Sequence, residues 1–210
     1  SEAAGELSLR HVDIRFGWVS GFRPVSFSLT DSVLSHGSVS IQGDSALVVR
    51  SVVTSGDAGE GYVSLHSYGG SVEVVDCRLS GSIVARSGAG AVVTGNRVGG
   101  PIFVEAPSPT VMGNHVEGVV YSTPAVTVRG ALWPDRLAGN TGVNNAMNVM
   151  SLAGTLQADL TLPMSSGLPV IIGLYDYYAS TGLTVAAGVT LRVLPGAVVK
   201  AVQSARITVL

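Results

Sequence analysis

Three side chains with complementary chemistry recur at nearly constant spacing along the chain: His66, Arg86 and Glu105. Each ends a short segment of alternating apolar and polar residues, and the equivalent positions of the flanking segments are Gln42 and Ser122. We predict that these five residues form one outward row in which neighbours lie roughly 5 to 10 Å apart. A base, a cation and a carboxylate on one surface could hold an acidic sugar. We call His66, Arg86 and Glu105 the ridge.

The ridge has two interpretations. It can be a solvated ladder of compatible charges, in which exposed pairs contribute only about 0 to 1 kcal/mol. It can also be a ligand-binding or catalytic site, although a glycoside hydrolase uses two carboxylates for its acid and base steps and this row offers one. The sequence favours the ladder, so we assign no catalytic residue and keep the ridge as the alternative site.

A second candidate site is the aromatic cluster Tyr175, Tyr177 and Tyr178. Tyrosine combines a broad apolar face with a hydroxyl, so a loop carrying three of them could stack on a carbohydrate or contact a partner protein. The same side chains could instead cover apolar residues at the open end of a repeat structure. We treat the three tyrosines as candidate ligand-binding residues and keep both interpretations open.

The sequence offers no metal centre and no cofactor motif. Asp44, Asp57, Glu60 and Asp76 lie at predicted corners without the regular Gly and Asp nonapeptide that binds calcium in β-rolls. The four histidines do not share a repeating ligand spacing. We therefore expect neither a metal nor a cofactor.

These side chains must be positioned by a repeat, which is clearest in the segments 91–100 and 110–118. The repeat unit is an apolar residue, two residues, a small residue, one residue and a second apolar residue. A unit that recurs about every twenty residues is typical of a solenoid. The matching triplets are Leu9/Val12/Ile14, Leu29/Ser32/Leu34, Val48/Ser51/Val53, Val74/Cys77/Leu79, Val93/Asn96/Val98 and Val111/Asn114/Val116, followed by a degraded copy at Leu137/Asn140.

The spacing predicts an all-β chain that forms a right-handed parallel β-helix. The central residues of the triplets are 18 to 26 residues apart, which leaves no room for a helix that connects parallel strands. Equivalent strands can then pair only with the next coil, in parallel, about 4.8 Å above the last. A β-sandwich would also contain many short strands, but it would not repeat one unit six times in the same phase.

The central position of each triplet, which we call the slot, is predicted to be buried. Asn96, Asn114 and Asn140 occupy it in three coils, where stacked amides could hydrogen-bond one another and the corner backbone. We predict that they form a structural ladder. Cys77 occupies the same slot, so we interpret it as a small buried side chain rather than a reactive thiol.

Composition limits the possible partners. The net charge is −2 with no basic cluster, so the chain has no electrostatic footprint for nucleic acid. One cysteine excludes an internal disulfide. The most apolar stretch, 183–202, is interrupted by Arg192, Pro195 and Lys200, so we expect no membrane span.

The regular spacing divides the chain into three parts. Residues 1–130 are predicted to form β-helix coils, and residues 131–150 an irregular connecting loop rich in Asn and Gly. Residues 151–210 again read as β-helix strands, which could continue the first helix, cap it or begin another module.

Two segments carry a resemblance to a known group. The segment 183–200, LTVAAGVTLRVLPGAVVK, resembles the phrase that opens a coil series in bacterial secreted right-handed parallel β-helix repeat proteins, with Ala186 in place of the usual proline. The segment 7–17, LSLRHVDIRFG, is similar to an interior coil of the same group. Because the interior phrase comes first here, the chain resembles a segment of a longer protein.

The resemblance implies an extracellular or cell-surface location and a place beside further β-helix modules of the same polypeptide. Some members of the wider class, such as pectate lyases, cleave polysaccharides in a groove over one sheet, whereas others are stalks and adhesins. Function depends on the site and not on the fold. We therefore expect a non-catalytic structural or adhesive module that contacts a polysaccharide or a host or cell-surface protein, with a carbohydrate-binding or polysaccharide-cleaving domain as the alternative.

Overall fold

The structure is a computed structural model that describes residues 5–22, 25–55, 61–120, 122–164, 167–173, 182–202 and 205–210. These residues are almost entirely strand and wind into a parallel β-solenoid of about nine turns. Within the described ranges, the helical element is the short 3₁₀ turn η1 (Pro134–Arg136). The predicted all-β parallel β-helix is confirmed.

Each of the first five coils contributes three short strands. In chain order these are β1 (Gly5–Arg10), β2 (Asp13–Arg15), β3 (Trp18–Phe22), β4 (Val25–Thr30), β5 (Val33–Ser35), β6 (Ser38–Gly43), β7 (Ser45–Val49), β8 (Val52–Thr54), β9 (Val63–Ser67), β10 (Val72–Val75), β11 (Arg78–Leu79), β12 (Ile83–Ser87), β13 (Gly90–Thr94), β14 (Arg97–Val98) and β15 (Ile102–Glu105).

The later coils contain longer strands in places and a less regular pattern. Their strands are β16 (Ser108–Met112), β17 (His115–Glu117), β18 (Pro124–Leu132), β19 (Thr141–Val143), β20 (Met147–Leu156), β21 (Leu160–Leu162), β22 (Val170–Ile172), β23 (Leu183–Val185), β24 (Leu191–Val193), β25 (Lys200–Ala201) and β26 (Ile207–Val209).

Equivalent strands of successive coils pair in parallel and build three long sheets. The first sheet runs from β1 through β4, β7, β10 and β13 to β16, and the second runs from β2 through β5, β8, β11, β14 and β17 to β19. The third sheet has eleven strands, from β3 through β6, β9, β12, β15, β18 and β20 to β22 and β25, with β23 and β26 joined through β20. A further pair, β21 and β24, forms a small sheet of its own.

The register of the sheets follows the repeat predicted from the sequence, because equivalent residues of successive coils pair with each other. Leu9 pairs with Leu29, Leu29 with Val48, and the row continues through Val74 and Val93. From Leu29 onward, these members of the row are fully buried. The apolar residues therefore stack in columns inside the coil, and removal of this surface from water is the main stabilising contribution to the fold.

Residues 131–150 differ from the expected irregular loop. They hold the end of β18, the turn η1, all of β19 and the beginning of β20, and β19 pairs with β17. Asn145 lies at the next corner. Its Nδ2 donates to the Val116 carbonyl at 2.9 Å, and its Oδ1 accepts a hydrogen bond from the Val119 main-chain amide at 2.9 Å. The polar residues that suggested a loop thus satisfy the backbone of one corner while the strands around it remain paired.

Four of the strands after residue 150, β22, β23, β25 and β26, extend the third sheet. β20 pairs with β18 on one side, and on the other side with β22 and β23 along different parts of its length. Because β20 has ten residues, it can carry two short strands of the following coils on one edge.

Two glycines let β18 and β20 approach closely at one point. Gly130 and Gly154 are opposite each other in the register and have φ of 145° and 120°. A Cβ built on Gly154 would collide with the backbone oxygen of Gly130 and would lie 2.9 Å from its nitrogen. Only glycine satisfies both the dihedral angle and the spacing at this position.

We expect Gly154→Ala to lower the free energy of unfolding by about 3 kcal/mol or more, because the new methyl group meets rigid backbone and the φ is unfavourable for alanine. Gly69→Ala is the matched control, since a Cβ at Gly69 meets no atom within 4 Å. Urea denaturation followed by circular dichroism measures both variants. The control should change stability by no more than about 0.5 kcal/mol, and equal effects of the two substitutions would contradict the explanation.

Candidate functional site

The ridge residues lie side by side on the outward face of the third sheet. His66 pairs with Arg86, and Arg86 pairs with Glu105, on the adjacent strands β9, β12 and β15. The structure therefore brings together the three residues that the sequence placed in one row. Within the described residues the row runs from the first coil through Phe22, Gln42, His66, Arg86, Glu105 and Arg129 to Ala153, which is buried.

Arg129, rather than Ser122, follows Glu105 in this row. The segment 119–122 was expected to supply the strand of this coil, but that strand is β18, which begins at Pro124. Its register places Val126 opposite Ile102 and Arg129 opposite Glu105. The prediction of Ser122 was wrong because the corner before β18 spans six residues (118–123), whereas the corners before β12 and β15 span three each.

The carboxylate of Glu105 is held between two arginines. Arg129 Nη1 donates to Oε1 at 2.8 Å, and Arg86 Nε lies 3.5 Å from Oε2. The Arg86 guanidinium also lies 5.0 Å from the centre of the Phe103 ring, within the range of a cation–π contact. Both carboxylate oxygens thus face a cation, and two arginines around one carboxylate leave a surplus positive charge.

His66 at the end of the ridge is neutral at pH 7. Partial burial lowers the pKa of its imidazole below the ordinary value of 6.5, the Arg86 cation lowers it further, and the Glu105 carboxylate acts in the opposite direction. The described row therefore carries two cations, one carboxylate and one neutral imidazole. This arrangement can attract an anion, but its carboxylate is already paired and has no second carboxylate beside it to divide acid and base roles.

Two other groups of predicted site residues lie wholly or partly outside the part of the chain that the structure describes. Tyr175, Tyr177 and Tyr178 lie outside the described residues, and their role stays a prediction. Asp57 and Glu60 also lie outside them. Within the described part of the chain, no three His, Cys, Asp or Glu side chains are close enough together to hold a metal ion, and no helix there is long and apolar enough to cross a membrane.

The slot asparagines are buried and linked from coil to coil. Asn96 Nδ2 donates to Asn114 Oδ1 at 2.9 Å, and Asn114 Nδ2 donates to Asn140 Oδ1 at 2.9 Å. Each amide also reaches a main-chain carbonyl of the preceding coil, for example that of Val93 at 2.8 Å from Asn114 Nδ2. The three residues are 1 % exposed or less, so water does not compete for these groups.

A second type of hydrogen bond extends this ladder beyond the asparagines. Asn114 Oδ1 accepts the Asn96 main-chain amide at 3.1 Å, and Asn96 Oδ1 accepts the Cys77 amide at 2.9 Å. In the earlier coils Ser51 Oγ accepts the Ser32 amide at 3.2 Å. A slot side chain, whether a carboxamide or a hydroxyl, thus accepts a hydrogen bond from the main-chain amide of the slot residue in the preceding coil. In the sequence, the signal for this chain of hydrogen bonds was that these residues occupy the same position of the repeat.

Cys77 takes part in this ladder as a neutral thiol. Its Sγ lies 3.4 Å from the Val48 carbonyl oxygen and 3.2 Å from that of Val75. Burial raises the pKa of the thiol to about 11, and a hydrogen bond with the Ser51 main chain offsets only part of that shift. The thiol therefore stays protonated at neutral pH and is unsuited to act as a nucleophile.

Sequence reasoning missed two aromatic residues on the outward face of the third sheet. Trp18 and Phe22 of β3 are 81 % and 70 % exposed, while Val19 between them points into the core. Beside Phe22 is a shallow depression of about 230 Å³, and the residues that line it are Ser20, Gly21, Phe22, Ser40 and Gln42. The alternation Trp18, Ser20, Phe22 in a period of two was the signal that could have identified this surface.

The comparisons with known proteins leave the fold as the basis for classification. No family model matches this sequence, and no curated protein or solved structure matches it either. The class that the structure defines is the parallel β-helix, with an asparagine ladder inside and a charged ridge outside.

We expect Asn114→Ala to lower the free energy of unfolding by about 3 kcal/mol, because the buried Asn96 main-chain amide loses its acceptor, Asn96 Nδ2 loses one of its two, and the Val93 carbonyl loses the Asn114 donor. The control is Asn148→Ala, whose exposed side chain at the start of β20 donates to the Gly142 carbonyl and accepts from Asn145 Nδ2. That variant should lose no more than about 1 kcal/mol. Chemical denaturation compares the two, and a loss at Asn114 no greater than that at Asn148 would refute the structural role of the ladder.

We expect Cys77 to react with a thiol reagent only when the chain unfolds. At pH 8 a thiol with a pKa of about 11 is about one part in a thousand thiolate, and it is also sterically enclosed. The measurement is the labelling rate with and without urea. Rapid labelling of the folded protein, at a rate close to that in urea, would show that the thiol is accessible and the assignment is wrong.

Proposed function

We propose that this chain is a non-catalytic module of a larger secreted or cell-surface bacterial β-helix protein, in which it serves as a rigid spacer with an adhesive outer surface. Neighbouring β-helix modules of the same polypeptide are its proposed partners along the axis. A polysaccharide or a host or cell-surface protein is its proposed partner on the outer faces. The extracellular location belongs to the same proposal and rests on the sequence resemblance.

The observation that carries the proposal is the continuity of the three sheets. Strands pair from coil to coil over about nine turns, which corresponds to a rod roughly 40 Å long. The slot ladder ties the same coils together from within. The third sheet bonds every coil to the next, and the first and second sheets do so over the first six and seven coils, so the rod resists bending, which suits a spacer.

The chemistry of the ridge supports a role without catalysis. Both oxygens of the Glu105 carboxylate are engaged by arginines, Oε1 by Arg129 and Oε2 by Arg86. A glycoside hydrolase divides its acid and base steps between two carboxyl groups. The described row contains one carboxylate, and that carboxylate is already paired.

A second candidate function follows from the surplus positive charge of the ridge. Arg86 and Arg129 outnumber Glu105, and a chain of uronic acid units would present carboxylates at regular intervals along such a row. On this alternative the ridge binds or cleaves an acidic polysaccharide. His66, neutral at pH 7, would then be the available proton acceptor.

The test is an activity and binding screen of the purified chain with polygalacturonate and alginate, measured by the release of unsaturated or reducing ends and by affinity electrophoresis. We expect no turnover by the unmodified chain. Arg86→Ala should fold and lose no more than about 1 kcal/mol of stability, because its ion pair is exposed. Arg78→Ala, on the second sheet, is the matched control.

Turnover that disappears in Arg86→Ala but persists in Arg78→Ala would overturn the non-catalytic proposal and establish the ridge as a site. Retention on acidic polysaccharide with the same dependence, but without turnover, would support an adhesive role at the ridge. The spacer role has its own measurement: small-angle scattering of the chain should give the profile of a stiff rod, and the profile of a flexible chain would contradict it.

A further inference from the structure

The outward face of the third sheet changes character along its length. The ridge and Arg129 make the middle coils charged, but the first two coils present aromatic rings and neutral hydrogen-bonding groups in the same rows. We call the latter surface, formed by Trp18, Ser20, Phe22, Ser40 and Gln42, the aromatic platform.

The two rings of the platform are placed on the same side of one strand. Trp18 and Phe22 are four residues apart in β3, so their Cα atoms are separated by roughly 13 Å. Because Val19 is 7 % exposed and faces the core, the alternation of the strand turns both rings outward from the sheet and not along the solenoid axis. Pairing of β3 with any further strand would leave them on this face.

Neutral polar groups fill the space between the rings. Ser20 pairs with Ser40, and Phe22 pairs with Gln42, so two hydroxyls and an amide lie beside the aromatic surfaces. These residues line the shallow depression of about 230 Å³. The Tyr68 hydroxyl lies 3.4 Å from Gln42 Oε1 and helps to position that amide. Hydroxyl and amide groups both donate and accept hydrogen bonds, which matches the hydroxyl groups of a sugar.

We infer that the aromatic platform binds a neutral oligosaccharide, with pyranose rings stacked on Trp18 and Phe22 and their hydroxyls bonded to Ser20, Ser40 and Gln42. The face of an aromatic ring carries partial negative charge, which attracts the C–H groups on the apolar face of a sugar. The five residues of the platform are uncharged, so they offer no cation to balance a uronic acid. This inference rests on the proposed adhesive function and names its ligand class.

The size of the platform favours a sugar over a second protein. The two exposed rings present on the order of 300 Å² of aromatic surface. Each partner of a stable protein interface buries about 800 Å². A short glycan needs only a few stacked rings and a handful of hydrogen bonds, and the platform supplies both over the length of one strand.

The experiment is affinity electrophoresis of the full chain in gels that contain a neutral β-glucan, xylan or mannan, with polygalacturonate as the acidic comparison. We expect at least one neutral polysaccharide to retard the chain. Trp18→Ala and Phe22→Ala should each weaken that binding about tenfold, the loss of one ring contact. Trp133→Ala is the matched control, because Trp133 contacts Arg136 beyond β18 and lies outside the platform.

A spectroscopic measurement keeps the test independent of gel behaviour. The chain has two tryptophans, so Trp133→Phe leaves Trp18 as the sole indole fluorophore. Saturating neutral glycan should then shift or quench the emission of Trp18. Circular dichroism establishes that each variant is folded before its binding is compared.

The inference is overturned if no neutral polysaccharide retards the chain, or if retardation is unchanged in Trp18→Ala. It is also overturned if the chain self-associates in light scattering and Trp18→Ala abolishes that association, because a second copy would then occupy the platform. Each of these results leaves the stiff rod and the absence of turnover intact, so failure of the platform is distinguishable from failure of the proposed function.

Discussion

The hydrogen bond from a corner amide to the slot side chain of the next coil is the constraint on which the rest of the structure depends. Where the first sheet turns into the second, the chain passes through a residue with φ of 45° to 75°, from His11 in the first coil to Gly139 in the seventh. This turn directs the next main-chain amide into the core. A buried amide without a partner would cost about 1 to 3 kcal/mol, and the slot side chain of the following coil removes that cost.

This constraint explains which residues the slot accepts. The side chain must be small enough for the interior, accept one hydrogen bond from the neighbouring coil and donate another to a main-chain carbonyl. Ser51 and Asn96 satisfy both requirements, with Ser51 Oγ donating to the Val49 carbonyl and Asn96 Nδ2 to the Val74 carbonyl. Cys77 satisfies them more weakly with sulfur, which is consistent with its position between a serine and an asparagine in the column.

With the interior fixed in this way, the outward faces are free to vary. The inward positions of the third sheet are aliphatic from the second coil onward, as in the row Ile41, Leu65 and Ala85. The outward positions of the same strands change from aromatic at Phe22 to charged at Arg86. The fold thus separates residues that stabilise the coil from residues that meet a partner, and two chemically distinct surfaces can share one sheet.

The sequence by itself determined the parallel β-helix, the columns of the core and the residues of the slot. Each of these is set by a spacing of about twenty residues and by the alternation of apolar and polar positions, both of which are visible in one dimension. The same spacing placed His66, Arg86 and Glu105 in adjacent coils. Only the tertiary structure decided that Arg129, and not Ser122, completes the row, because the length of a corner is not recorded in the alternation of the strand that follows it. It also decided which outward residues form a surface. Ser20 meets Ser40 and Phe22 meets Gln42 through strand pairing across a coil, a contact that depends on register and burial and not on proximity in the chain.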